Sequence, residues 1–247
     1  MKRTLVIGDI HGGYKALLQV IERAKVTTDD ILIFLGDYVD GWSESAETID
    51  FLIDLRENNE CVFIRGNHDV WCQNYLRVKE APDVWLSNGG KSTVESYTSS
   101  FDKSKHLDFF MKMKDYHIDE NNNLFIHAGF SSMHGPNKEH YSTNFSWDRT
   151  LWETAVAMDK HLKKNSELYP KRLLLFNEIY IGHTPTLNYK VQSPMNKANV
   201  WNIDTGAAFT GKLSILDIHS KEFWQSDSLP KLYPNEKGRN FYNIKSK

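Results

Sequence analysis

Three short runs without polar alternation, Leu5-Val6-Ile7, Ile31-Leu32-Ile33-Phe34-Leu35 and Cys61-Val62-Phe63-Ile64, each lead within two residues to a glycine beside a metal-binding side chain. A run that is apolar at every position has no face for water, so it belongs in a sheet covered on both sides. Between the first two runs, Leu17, Val20, Ile21 and Ala24 fall on one helical face of the stretch from Gly13 to Val26. Between the second and third, Ile49, Leu52 and Ile53 form a similar stripe, with Ser43 or Ser45 placed to cap its start. A β-α-β-α-β succession predicts a parallel sheet with helices on its faces. Ligands of such sheets bind beyond the carboxyl ends of the strands.

The segments at those ends are Gly8-Asp9-Ile10-His11-Gly12, Gly36-Asp37-Tyr38-Val39-Asp40-Gly41 and Gly66-Asn67-His68-Asp69. Two more follow later apolar runs: His127-Ala128-Gly129 after Leu124-Phe125-Ile126, and Gly182-His183-Thr184-Pro185 after Ile179-Tyr180-Ile181. Alone, each reads as a turn or a structural histidine. Together, Asp9, His11, Asp37, Asn67, His127 and His183 offer two carboxylates, one amide and three imidazoles. Oxygen donors suit manganese or magnesium and imidazole suits iron or zinc, so the mixture favours manganese first, with iron or zinc as alternatives. Two divalent ions side by side need a bridging carboxylate, and Asp37 fills that role. The chemistry expected of such a pair is metal-assisted hydrolysis of a phosphate ester.

Composition excludes other classes. A formal charge of -2 over 247 residues argues against a nucleic-acid polymer as partner, because such binders work through counterion release. No stretch approaches the roughly 20 apolar residues of a membrane helix, so no membrane partner is expected. The apolar run after Met1-Lys2-Arg3 ends at Gly8, short of the about 7–15 residues of a secretory core. Cys61 and Cys72 read as two free thiols, consistent with a reducing, cytoplasmic setting. Residues 1–230 are expected to form one domain, with a helical, cap-like segment at roughly 130–178 that includes an amphipathic helix from Thr150 to Lys164. Val200-Trp201-Asn202-Ile203 and Leu213 to Ile218 read as strands of a second, stacked sheet. Residues 231–247 read as a polar, basic, solvated tail.

The ordered motifs Gly-Asp-x-His-Gly, Gly-Asp-x-x-Asp, Gly-Asn-His-Asp, His-Ala-Gly and Gly-His-Thr-Pro resemble the calcineurin-like metallophosphoesterases, and within them the bacterial and phage branch of the phosphoprotein phosphatases. The resemblance runs from Gly8 to about Gly211. It implies an α/β fold of two stacked β-sheets flanked by helices, with a dinuclear site at the strand ends. Asp9, His11 and Asp37 would serve one metal, and Asp37, Asn67, His127 and His183 the other. His68 resembles the general acid that protonates the leaving oxygen, with Asp40 holding its imidazole in position. Arg149 resembles a phosphate-gripping arginine, joined in substrate binding by Asn67; Arg65 is a second candidate cation.

One position departs from the pattern. The family usually reads Gly-Asp-x-x-Asp-Arg-Gly and uses that arginine to bind phosphate; here Asp40 is followed by Gly41 and Trp42. A bidentate grip is missing. Placing Arg at 41 is therefore expected to lower KM for simple phosphomonoesters, and Trp42 either packs or offers an aromatic wall to the leaving group. The expected activity is hydrolysis of phosphomonoesters, with a phosphorylated protein (Ser or Thr, also Tyr) or a small phosphoester as substrate. The alternative is a symmetrical dinucleoside tetraphosphate hydrolase. A non-catalytic scaffold would be expected to lose ligands or His68, and all are present.

Overall fold

The computed structural model describes residues 2–240. The first apolar runs form β1 (Thr4–Ile7), β2 (Ile31–Phe34) and β3 (Glu60–Phe63), joined through α1 (Tyr14–Arg23) and α2 (Ser45–Leu55). A third helix, α3 (Asn67–Val78), starts inside the third motif, so Asn67 and His68 occupy its first turn. Strands β4 (Tyr116–Ile118), β5 (Leu124–Ile126), β6 (Ile179–Ile181), β7 (Met195–Lys197) and β8 (Val200–Asn202) follow, then β9 (Ser214–Asp217) and β10 (Phe223–Gln225).

Two five-stranded sheets result, in the orders β10-β9-β1-β2-β3 and β4-β5-β6-β8-β7. Each has three parallel strands at its heart: β1, β2 and β3 in the first, β5, β6 and β8 in the second. β9 does not join the second sheet as its sequence neighbourhood suggests. It returns to lie antiparallel to β1, pairing Val6 with Leu216. This placement covers the edge of β1, whose four residues are all buried.

Strand alternation sorts the side chains into layers. Val6, Ile33, Leu35, Phe125, Tyr180 and Leu216 meet between the sheets. Leu5, Ile7, Leu32 and Phe34 point the other way, into the helices of the first sheet. Leu124, Ile126, Ile179 and Ile181 face the 130–178 segment, from which Phe130, Leu151, Trp152 and Leu173 pack against them. That segment is thus the outer layer of the second sheet, and only its edge reaches the strand ends. Its helix runs Thr150–Ala157, shorter than the periodicity to Lys164 suggests. Lys160, Lys163 and Lys164 would set like charges on one helical face, which disfavours continuation.

Two other expectations change. α2 is preceded by Glu44 without a side-chain cap; Ser43 instead donates from both its N–H and its hydroxyl to Glu236. Nor do residues 231–240 form a solvated tail: Tyr233 is buried and stacks on Trp42 at 5.2 Å. Residues 241–247 lie outside the described part. Both cysteines are free, and no helix among the described residues is long and apolar enough to cross a membrane.

Candidate active site

Backbone conformation aims the candidate side chains. His11, Asp37, Asp40 and His183 all adopt positive φ, between 54° and 72°. This region costs a non-glycine residue of order 1–3 kcal/mol, and such outliers cluster at functional sites. Local bonds hold them there. The carbonyl of Asp37 accepts from the N–H groups of Ile10 and His11, tying the loop after β1 to the loop after β2. Asp69, fully buried, accepts from the N–H groups of Asp37, Tyr38 and Gly66 at 2.7–2.9 Å, tying the β2 loop to the start of α3. Gly66 and Gly182 matter for space: a Cβ would collide with the carboxylate of Asp37 in one case and of Asp9 in the other.

All six expected metal-binding residues converge, each with less than a tenth of its surface exposed. Oδ2 of Asp37 lies 3.7 Å from Nε2 of His11 and 3.4 Å from Nε2 of His127. Oδ1 of Asn67 is 3.3 Å from Nε2 of His127, and Oδ2 of Asp9 is 4.0 Å from Nε2 of His11. Asp37 belongs to two donor groups, one with His11 and His68 and one with His127 and His183. Asp9 is the more peripheral oxygen, and His68 comes as close to the first group as a ligand would.

The donor set fits divalent cations. His11 and His127 each set Nδ1 against backbone carbonyls, of Asp40 at 2.9 Å and Leu35 at 2.7 Å respectively. Both rings thus turn Nδ1 to the backbone and Nε2 towards Asp37, which is how a metal-ligating histidine is oriented. Oδ1 of Asp9 and Nε2 of His183 are buried without a hydrogen-bond partner among the described residues. Burial pushes the Asp9 carboxyl well above the usual range, with Asp204 adding to it. Burial also opposes ionisation of Asp37, but the imidazoles of His127, His68 and His11 outweigh it and hold this carboxyl well below the usual range. His127, in spite of burial, is raised to about 10 by Asp37. Burial lowers His11 and His183. Such a buried carboxylate cluster calls for positive charge.

Beside the cluster, Nδ1 of His68 lies 2.6 Å from Oδ2 of Asp40. A cavity of about 200 Å³ opens above, lined among others by His11, Asp37, Asn67, His68, Arg149 and His183. Trp71 and Trp147 flank its mouth edge to face, with ring centroids 5.5 Å apart. Arg149 is exposed and forms no ion pair among the described residues. Other candidates point elsewhere. Arg65 pairs with Asp115 at 2.9 Å and does not line the cavity. Trp42 is fully buried and donates to the carbonyl of Ala207, so it packs and offers no wall.

Sequence reasoning passes over three residues here. Asp204, buried and lining the cavity, follows β8 just as the other acids follow their strands, so Asp204-Thr205-Gly206 carries the same signal. Trp85 reaches Asp40, and Arg239 lines the cavity from the C-terminal segment; no local pattern marks either.

The family description calcineurin-like phosphoesterase matches residues 2–207. The chain is 26% identical over 232 residues to the asymmetrical bis(5'-nucleosyl)-tetraphosphatase PrpE of Anoxybacillus flavithermus, covering 85% of this chain and 88% of that one. It is 25% identical over 223 residues to serine/threonine-protein phosphatase 1 of Salmonella typhimurium, covering 86% and 90%. In structure it resembles a protein serine/threonine phosphatase from Saccharomyces cerevisiae, with a TM-score of 0.61 at 14% identity, over 92% of this chain and 80% of that one. With this match over most of its length, and with metal-binding side chains gathered at the ends of the parallel strands, the chain belongs to the calcineurin-like phosphoesterases.

Proposed function

We propose that this phosphoesterase hydrolyses phosphomonoesters carried on protein side chains, phosphoserine and phosphothreonine first and phosphotyrosine as well. It would use two divalent cations, manganese first. Asp9, His11 and Asp37 would hold one, and Asp37, Asn67, His127 and His183 the other. When bound, the pair supplies a nucleophilic water at neutral pH and neutralises charge on the phosphoryl oxygens. Arg149 adds a guanidinium to that neutralisation, and Asn67 stands beside the phosphoryl group. His68, with Nδ1 turned to Asp40, presents its other ring nitrogen to the cavity and gives a proton to the departing oxygen. Asp40 keeps the ring aimed.

The observation that carries this reading is the pairing of His68 with Asp40 beside a small cavity. About 200 Å³ is less than the roughly 300–1,000 Å³ of sites that enclose a whole small molecule. It holds a phosphoryl group and the first atoms of its carrier, and leaves the carrier outside. A second reading is hydrolysis of a dinucleoside tetraphosphate. It rests on Trp71 and Trp147, whose rings at the mouth can receive a nucleobase. The related tetraphosphatases are named as asymmetrical, so that kind replaces the symmetrical one as the alternative.

The test is a panel of phosphopeptides, bis(4-nitrophenyl) phosphate, nucleotides and dinucleoside tetraphosphates assayed with manganese, with His68→Asn as control. Turnover of phosphopeptides and none of dinucleotides is expected. The reverse pattern would transfer the assignment to the second reading.

A further inference from the structure

Arg239 occupies the place left open by Gly41. Its backbone is fixed by a hydrogen bond from its N–H to the carbonyl of Ala208 at 2.9 Å. The segment before it is anchored to the loop that follows Gly41. Tyr233 stacks on Trp42 and donates to Glu44, and Glu236 accepts from Ser43. From there the Arg239 side chain runs along Gly41 and Gly89, the second of them next to Asn88, which lines the cavity. Its Cγ lies 3.5 Å from where a Cβ of residue 41 would stand, and 3.2 Å from that of residue 89. Both glycines have positive φ, +132° and +103°, so a side chain at either would be strained as well as crowded by this stem.

The guanidinium ends in the cavity that His68 and Arg149 also line. It has no carboxylate partner within 4.0 Å among the described residues; its Cζ lies 5.5 Å from the ring of Phe209, and its charge acts at longer range on Asp204 of the same cavity. Arg149 and Arg239 thus bring two guanidinium groups without an ion-pair partner among the described residues to one cavity, and the fork of each matches a phosphoryl edge.

We infer that Arg239 binds the substrate phosphate, supplying from the C-terminal segment the cation absent at position 41. This deepens the phosphoesterase reading and rests on it. The family match ends at residue 207, so the residue belongs to the part of the chain outside that match. The C-terminal segment thereby becomes part of the substrate site.

The test compares the manganese-loaded wild type with Arg239→Ala, Arg239→Lys and, as a charge control on the same segment, Lys237→Ala. Inorganic phosphate is the probe, its binding measured by calorimetry, together with KM and kcat on a phosphomonoester and the melting temperature of each protein. Arg239→Ala is expected to weaken phosphate binding and raise KM by about 10–100-fold, the usual loss of a hydrogen bond to a charged group. Arg239→Lys should recover part of it, and Lys237→Ala should change neither. Unchanged phosphate binding and KM in Arg239→Ala, with an active wild type, would overturn the inference and keep the phosphoesterase reading. Weakened phosphate binding in a wild-type-like fold that hydrolyses no member of the panel would keep Arg239 as an anion ligand and sink the proposed reaction. An equal loss in Lys237→Ala would reduce Arg239 to general electrostatics and overturn the inference.

Discussion

Nδ1 of His68 lies 2.6 Å from Oδ2 of Asp40, and that same oxygen accepts a hydrogen bond from Nε1 of Trp85 at 2.6 Å. The other oxygen accepts from the hydroxyl of Thr93 at 2.6 Å. Asp40 is fully buried, and these partners with the imidazole it faces satisfy both of its oxygens. A carboxylate held on three sides aims the ring; it does not need to touch substrate.

His68→Asn is expected to lower kcat by about 10²–10⁴-fold on an alkyl phosphomonoester, the usual share of a positioned acid. Asp40→Asn should lose less, about tenfold to a hundredfold by the same reasoning, and the double variant little more than His68→Asn alone. On 4-nitrophenyl phosphate, whose leaving group departs without a proton, both losses should shrink. Equal losses on the two substrates would remove this pair from the leaving-group step.

Gly182→Ala places a methyl group against the carboxylate of Asp9, which must turn away from its present position. Manganese affinity, read by calorimetry, should fall by about 10–100-fold, as for other changes that misorient a ligand. In the wild type, chelation should lower the melting temperature, because a ligand at 100 times its Kd contributes about 2.7 kcal/mol to the folded state. Unaltered affinity in Gly182→Ala would take Asp9 out of the ligand set.

Gly41→Arg runs against the expectation raised by the family pattern. With φ at +132° and the Arg239 stem alongside, the variant should lose about 1–3 kcal/mol of stability and should not lower KM. Chemical denaturation and steady-state kinetics decide between the outcomes; a lower KM at full stability would show that the loop relaxes to accept the new side chain.

Glu139 folds the loop after His127 onto itself. Its carboxylate accepts from the N–H groups of Ser131 and Ser132 and from the hydroxyl of Ser131. Slight burial opposes ionisation, but these donors hold the group at about 2, below its ordinary 4.5. A depressed value means that the stabilisation is full above about 4.5 and fades as pH falls towards 2. The melting-temperature gap between wild type and Glu139→Gln should follow that course. A gap that persists to pH 2 would assign the effect to shape, with no part for charge.

The candidate metal-binding residues are legible in the sequence because each lies within a few residues of a strand end, so the side chains that converge also sit beside the strands that place them. Asp9, Asp37 and His127 are each placed by their own strand, and they become recognisable once the motifs are counted together. Asp204 obeys the same grammar after β8 and is legible in principle. Arg239 and Trp85 are not, since each reaches the site through tertiary packing that leaves no periodic trace. β9 illustrates the same limit for the fold: its apolar run announces a strand, but nothing local says that its partner is β1. The helix from Thr150 shows the converse, an apolar period outlasting the helix because lysines gather past Ala157.

The position of β9 also governs when the protein can come into being during synthesis. β1 has β2 on one side and must wait for residues 214–217 to close the other. Until those residues have been made, an apolar strand edge and the acids beside it stand open to water and to other nascent chains. Any fragment that stops short of β9 leaves that edge bare and is a candidate for aggregation.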